Sequence, residues 1–457
     1  MAMKSMEISR KFDVLDVGKV VSEGKRSGNL VKLESEVGFR NGYIPEWMLI
    51  EILCRLPAKC VFRYKSVSKQ LLSLISDPSF VRFYVSRFRE NPWTLLSSTL
   101  HVDPSGNSTN FPKHMLLSAA FSGDENYPTL SAISFPGSPE ASAGKSYNVV
   151  AVSDGFVLYA QRVYLECGVT TLTNYTVYSP TTGQCVVLPP PSRRFMLSTA
   201  GFVTRVEGGA LRSFKVVRLG CCLSRCHALE FEVFCSESGA WKDAVVRTDH
   251  ELEVAWRRTP ASFNGNLHWV DRRLGIVAYD PYHAPDRCRI IGFPAGIDEQ
   301  CNNSIYNGIP SLCIGHQGNL WYLEVLVTSE DDFQFSGFYS WVLGDYEDSN
   351  TWSLYQKTKI NDISFDENLD IDVLVGFIPV PIAFHPFNPD MIYLGWGDIL
   401  VSFNMKTRKL EAVNIPNGET LRNGGLKGEP CWWQTSLFVL PTWPTSIAFD
   451  PKSEVIY

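Results

Sequence analysis

No apolar run in this chain approaches the ~18–20 residues that a membrane-spanning helix needs. The N-terminus lacks the apolar core of a secretory signal. Positive charge is not in excess either: 42 Lys and Arg against 48 Asp and Glu leave a net charge of −6. A nucleic-acid binder should show a basic face, so neither nucleic acid nor a membrane is expected as a partner. Twelve Cys in 457 residues contain no C-x-x-C pair and are too sparse for a disulfide framework. The chain therefore reads as intracellular, in the cytoplasm, the nucleus or both. The cluster Cys221, Cys222, Cys226 and His227 fits no standard zinc spacing and reads as core or loop thiols. A nucleophile elbow, a phosphate loop, an H-E-x-x-H helix and a dinucleotide fingerprint are all missing. No catalytic residue, cofactor or metal is expected.

What the chain does have is one strongly helical stretch in a sequence otherwise written in strands and turns. Tyr43–Phe88 carries three apolar stripes. Pro45 suits a first helical position, where its missing N–H costs nothing. Met48, Leu49, Ile52, Leu53 and Leu56 then fall on one helix face, and Pro57 stops that helix. Val61, Tyr64, Val67, Leu71, Leu72 and Ile75 make a second stripe. Asp77-Pro78 is an N-cap and first-turn signal for a third. A unit of about 40 residues buries too little surface to be secure alone. Its surplus apolar surface needs a second body, either the rest of this chain or another protein.

The residues themselves resemble a known family. The run Ile44-Pro45-x-x-x-Leu49-Ile50-x-Ile52-Leu53-x-Arg55-Leu56-Pro57-x-Lys59, then Arg63–Lys69, then Leu74–Phe80, is similar to an F-box of the plant type over its whole length. It departs at Ile44, at Trp47-Met48, and at Ser66 and Leu71, where the family often has Cys and Trp. The resemblance implies docking onto a Skp-type adaptor, and through it a cullin. Ile44, Pro45, Leu49, Ile52, Leu53, Leu56, Pro57 and Val67 are the implied adaptor contacts. Each also has a plain role as packing within the helices, Leu53 and Leu56 above all.

Before and after this stretch the grammar differs. Residues 1–42 are polar with no sustained period and read as a mobile leader. From about residue 92, short aromatic and β-branched runs alternate with turn residues, an all-β signature. Leu229–Cys235 alternates apolar residues with Glu230 and Glu232, which predicts one wet face. Two phrases repeat. One is a tight Gly turn feeding an aromatic strand: Asn264–Trp269 and Gln317–Tyr322 are nearly identical, with Asp154–Tyr159 and Pro389–Leu394 as looser copies. The other is a hairpin frame with an aromatic first and a hydrophobic residue eighth: Tyr178–Cys185, Phe234–Trp241 and Phe403–Leu410. Tyr279 starts a shortened copy and Leu343–Trp352 is a stretched one. Spacings of about 45 to 64 residues suit four-stranded propeller blades. A two-sheet sandwich ranks second. A closing strand from Trp93–Leu100 is expected to pair with Ser436–Leu440 or Ser446–Phe449.

The expected fold class is therefore α+β multidomain: leader 1–42, a small three-helix domain 43–88, and an all-β domain 92–457 that forms a six- or seven-bladed β-propeller. The order of Val150–Gly155, Tyr178–Thr182, Leu188–Pro191, Phe214–Val217, Phe234–Trp241, Leu267–Trp269, Trp341–Leu343, Ala383–Pro386 and Lys409–Glu411 resembles the plant F-box-associated, kelch-like repeat domain. The combined resemblance implies the substrate-recognition subunit of an SCF-type ubiquitin ligase, its β-domain holding an unidentified target protein. The rival readings are a propeller-based hydrolase or carbohydrate-active enzyme, and an F-box scaffold outside any ligase. His268 reads as a core or rim residue and His385 as a turn residue whose ring bonds to nearby backbone. Asp362, Asp366, Glu367, Asp370 and Asp372 lack calcium-loop spacing. Together with Glu330–Asp332, Asp345, Glu347 and Asp348 they are expected to give the β-domain a negative surface suited to a basic partner segment. Most of the Trp should be core, with Trp256, Trp396 and Trp432-Trp433 as candidates for a recognition surface.

Overall fold

A computed structural model describes residues 44–56, 58–86, 93–102, 108–116, 146–164, 170–180, 184–195, 198–207, 210–220, 226–254, 260–271, 273–294, 311–316, 318–327, 334–347, 351–367, 369, 374, 377–397, 399–413, 435–439, 446–447 and 455–456. The leader 1–42, Pro57, Cys221, Cys222, Trp256, Glu330–Asp332, Asp348, Asp370, Asp372 and Trp432-Trp433 lie outside the described residues. Backbone contacts divide the chain into Met1–Glu51 and Ile52–Tyr457.

Helix α1 (Glu46–Leu53) starts where Pro45 predicts: the Pro45 carbonyl accepts the Met48 and Leu49 N–H groups at 3.0 and 3.1 Å. Helices α2 (Ala58–Arg63), α3 (Lys69–Ser76) and α4 (Pro78–Ser86) follow. The second expected helix is thus two. A single 3₁₀ turn at Tyr64–Ser66 interrupts it, and Ser68 N-caps α3 by accepting the Leu71 N–H at 3.1 Å. A hydroxyl beside a helix break offers the backbone this alternative bond. Asp77 caps α4 as expected, accepting the Ser79 N–H at 2.7 Å. Among the described residues, Leu53, Cys54, Val61, Leu74, Ile75, Phe80 and Tyr84 are the buried side chains of the helical region, and the Tyr84 hydroxyl donates to the Leu56 carbonyl at 2.7 Å.

The β-region is built from repeated antiparallel meanders. Strands β1 (Trp93–Val102) and β2 (Ser108–Leu116) come first. The first blade is β3 (Ser146–Ser153), β4 (Phe156–Tyr164), β5 (Thr170–Tyr178) and β6 (Cys185–Val187). The second is β7 (Ser198–Glu207), β8 (Ala210–Gly220), β9 (Cys226–Cys235) and β10 (Ala240–Leu252). The third is β11 (Ala261–Phe263), β12 (Asn266–Val270), β13 (Gly275–Tyr279) and β14 (Cys288–Gly292). The fourth is β15 (Ser311–His316), β16 (Asn319–Val327), β17 (Phe335–Leu343) and β18 (Trp352–Lys359). The short β19 (Ser364–Phe365) precedes the fifth, formed by β20 (Val380–His385), β21 (Asn388–Trp396), β22 (Ile399–Asn404) and β23 (Lys409–Ala412). Strands β24 (Thr435–Val439), β25 (Ser446–Ile447) and β26 (Val455–Ile456) end the series.

Among the described residues five sheets are full four-stranded blades, which gives the expected propeller, with fewer full blades than the six or seven expected. The sixth sheet is three-stranded, in the order β2-β1-β24, and joins the two ends of the β-region: Trp93 pairs with Val439 and Ser97 with Thr435. The expected closing strand is therefore present, in the first of its two registers. The first strands of successive blades, β3, β7, β11, β15 and β20, are neighbours, and β24 touches both β20 and β3. That is a closed propeller ring. Closure matters because it leaves no sheet face exposed at a ring end. The outer edges of β6 and β23 are covered as well, by β26 and β19, which blunts the unpaired backbone of an edge strand.

Both repeated phrases map onto fixed places in a blade. Every first-to-second-strand connection is a two-residue hairpin, closed by the pairs Ser153/Phe156, Glu207/Ala210, Phe263/Asn266, His316/Asn319 and His385/Asn388. Asp154-Gly155 and Asn264-Gly265 have φ of 45° and 79°, and 51° and 76°, the doubly left-handed turn that matches strand twist. The fifth-blade copy differs from expectation. Pro389–Leu394 lies inside β21, and the turn is Pro386-Phe387. There the His385 Nδ1 accepts the Phe387 and Asn388 N–H groups at 3.1 Å each, so a ring nitrogen does what glycine geometry does elsewhere. In the second phrase, the first and eighth residues are direct cross-strand partners: Tyr178/Cys185, Phe234/Trp241 and Phe403/Leu410, with Tyr279/Cys288 and Leu343/Trp352 as the variant copies.

Blades are packed on both faces, and this overturns one expectation. Glu230 is exposed, but Glu232 is fully buried, so β9 has no wet face. The Glu232 carboxylate bonds to the guanidinium of buried Arg218 on the adjacent strand. Its other oxygen accepts the Ser192 N–H and hydroxyl at 2.7 Å and the Arg193 N–H at 3.1 Å. The pair fastens the connection between the first and second blades.

Candidate functional site

The implied adaptor contacts sort by exposure. In the first unit Ile44 and Trp47 are exposed, while Pro45 and Leu49 are half-buried. In the second unit Ile52 is 47% and Val67 65% exposed, as are Tyr64 and Leu72 to similar degree. Leu53 is only 4% exposed and belongs to the helical core. Leu56 is half-buried and contributes its carbonyl to Tyr84. Within the second unit, Ile52 and Val67 thus present apolar surface, whereas Leu53 is buried. Tyr64 and Leu72 were expected on a packing stripe. They are exposed because the chain breaks between α2 and α3, and Ser68, a good capping residue ahead of Leu71, was the readable signal for that break.

Cations occur in the same helical stretch of the second unit. Lys65 lies with its ammonium 4.7 Å from the centre of the Phe62 ring, a cation–π arrangement, and burial pushes its pKa down. Arg55, Arg63 and Lys69 are exposed.

The residues weighed for chemistry in the β-region fall into structural roles. His268 is buried, with Nδ1 3.2 Å from the Ala261 carbonyl and Nε2 2.7 Å from the Tyr346 hydroxyl. Burial holds its pKa down at about 4, so it is neutral. Trp396 is fully buried and donates to the Leu374 and Phe377 carbonyls at 2.8 Å, which removes it as a recognition residue. Two of the described acidic residues have a cation nearby, while Glu330–Asp332, Asp348, Asp370 and Asp372 lie outside the described residues. Asp362 is 3.6 Å from Arg408 and Glu347 is 3.7 Å from Arg289. Among the described residues of the innermost strands, Glu207 alone is a carboxylate. It sits at the end of β7, 74% exposed and beside Arg212. No group of metal-ligating side chains occurs among the described residues.

Comparison with known proteins agrees with this geometry. Residues 44–83 match the F-box domain, and residues 121–441 match the β-propeller of F-box protein At3g26010-like proteins. The chain belongs to that family of F-box β-propeller proteins. It is 28% identical over 390 residues to a putative F-box/kelch-repeat protein, At1g15680, of Arabidopsis thaliana, covering 80% of this chain and 82% of the relative. F-box protein At3g26010 of the same plant is 24% identical over 444 residues, covering 91% and 93%. Among solved structures, an α-L-arabinofuranosidase from Fusarium graminearum matches at 11% identity with a TM-score of 0.32, covering 62% of this chain and 85% of that one.

Proposed function

We propose that this chain is a substrate receptor of a cullin-based SCF-type ubiquitin ligase. Its F-box docks on a Skp-type adaptor, and its propeller holds a target protein so that the ligase's other subunits transfer ubiquitin to it. The chain's own contribution is proximity rather than covalent chemistry. Holding a target lysine beside the loaded conjugating enzyme raises its effective concentration. The observation that carries the reading is the exposure of Ile52 and Val67, with Tyr64 and Leu72, in a segment that matches the F-box. Large apolar side chains left in water on a helical unit are what a protein partner covers. Work in the cytoplasm, the nucleus or both follows from the same reading.

The test uses surface positions, because a charge at Leu53 would disrupt the core and mimic lost binding. Ile52→Glu and Val67→Glu should each leave the thermal midpoint near that of the parent chain. Each should weaken capture of a purified Skp-type adaptor by at least roughly tenfold, since burying one such side chain is worth about 1.5–3 kcal/mol. Undiminished adaptor binding by the double variant would remove the main support for the reading.

A further inference from the structure

One buried carboxyl in the propeller has an oxygen with no partner among the described residues. Glu324 lies on β16 and is 6% exposed. In register it stands between Ser311 on β15 and Tyr339 on β17. Tyr339 packs with Tyr322, Trp341 and Leu343 of the fourth blade against Ile276, Ala278 and Ile291 of the third. The Glu324 side chain therefore faces the seam between these two blades. Its Oε2 has no hydrogen-bond partner, and neither has the indole N–H of Trp341, which points from the same sheet face one pair further along.

Among the described residues, the cations on that face are engaged elsewhere or exposed. Lys357 is the next residue in the row, opposite Tyr339, and its ammonium lies 4.6 Å from the centre of the Tyr339 ring. Lys359, two residues on, is exposed. From the third blade the seam receives His268, bonded to Ala261 and Tyr346, and Arg289, stacked 4.4 Å from the Tyr346 ring beside Glu347. A carboxylate here would be a buried charge without a counter-ion, which proteins avoid by neutralising the group or exposing it. Burial accordingly pushes the Glu324 carboxyl up to about 7.

We propose that the seam between the third and fourth blades is a proton-linked latch, closed while the Glu324 carboxyl carries its proton and loosened when the proton leaves. Opening lets water reach both Oε2 and the Trp341 N–H, so the two orphaned polar atoms favour the same movement. The sign follows from linkage. In the unfolded or opened chain the carboxyl titrates near its ordinary 4.5, and in the closed seam near 7. Stability from the closed seam is full below the lower value and is lost as pH rises through the upper one. His268 acts in the opposite direction below its ordinary 6.5, so a variant that keeps His268 is the proper reference.

Hydrogen exchange on the full chain tests this, read at pH 6 and pH 8 after correction for intrinsic rates. Seam opening is followed on β12–β13 and β16–β17 peptides, with β8–β9 as an internal control. Relative to Glu324→Gln, the parent's seam opening should rise roughly tenfold between the two pH values, with the control unchanged. An equal pH response in parent and variant would overturn the proposal, as would a response shared by the control strands. Should Glu324→Gln not fold, Glu324→Leu takes its place. The parent's own infrared spectrum supplies a second readout: a protonated carboxyl band that fades between pH 6 and 8 and tracks the exchange supports the latch, and its absence at pH 6 sinks it.

Discussion

Single side chains in this molecule decide more than their number suggests, and Arg218 with Glu232 is the clearest case. Both are buried, and both are further bonded: Arg218 donates to the Tyr175 hydroxyl at 3.2 Å and the Arg193 carbonyl at 3.0 Å. Tyr175, Phe195 and Trp241 surround the guanidinium, and burial pushes the Tyr175 hydroxyl up to about 12. Removing one partner strands the other as an uncompensated buried charge, at about 3–5 kcal/mol. Arg218→Met and Glu232→Gln should each cost that much in urea unfolding, while the double variant should cost clearly less than their sum. An additive double variant would mean that the two side chains act independently. None of this was legible beforehand. Glu232 sits in a strand whose alternation predicts a wet face, and only packing on both sides of a blade, a tertiary fact, makes the alternation fail. His385 was legible, because a His before Pro in a turn has few other uses for its ring.

At the level of elements, the sequence announces hairpins well and helix breaks poorly. The eight-residue frame was readable because its first and eighth positions are cross-strand neighbours, one aromatic and the other hydrophobic. Where the residue that closes the frame is Trp, it does a further job. The Trp241 indole donates to the Pro189 carbonyl at 2.7 Å and the Trp352 indole to the Gly292 carbonyl at 2.8 Å. Each thereby ties its blade to the end of the preceding one. The helical stretch was read as three helices because its apolar residues keep a helical period across Tyr64–Ser68, and period alone does not register a cap. Glycine shows how one residue type serves two needs. Gly265 has φ of 76° and open space where a Cβ would stand, so Gly265→Ala should cost only the left-handed penalty of about 1–2 kcal/mol. Gly275 has φ of 135°, and a Cβ there would meet the Ile291 carbonyl oxygen at 2.1 Å. Gly275→Ala should therefore be much the worse of the two in a denaturation series. Equal effects would show that the close pass of β13 and β14 relaxes freely.

For the whole molecule, the decisive feature is that the ring is closed by pairing distant parts of the chain. Strand β1 follows the helices directly, yet its partner β24 lies more than three hundred residues on. Loop-closure entropy grows only slowly with such separation. The pairing is therefore thermodynamically tolerable, provided the strands it joins also complete the seams on either side. Strand β24 meets both β3 and β20, so its loss would expose the inner flanks of the first and fifth blades together. The later strands are lighter: β25 adds two residues to β8, and β26 covers the outer edge of β6. Truncation should then act in steps. A chain ending after Ile447 lacks only β26 among the described strands, and should keep a cooperative thermal transition within a few degrees of the parent. A chain ending after Val413 also lacks β24 and β25. It should lose that single transition and become readily cleaved by protease in the first and fifth blades, with the second to fourth blades more resistant. Should the shorter chain still unfold in one transition near the parent's midpoint, the β1–β24 pairing would be dispensable, and the blades would be holding the ring shut by their faces alone.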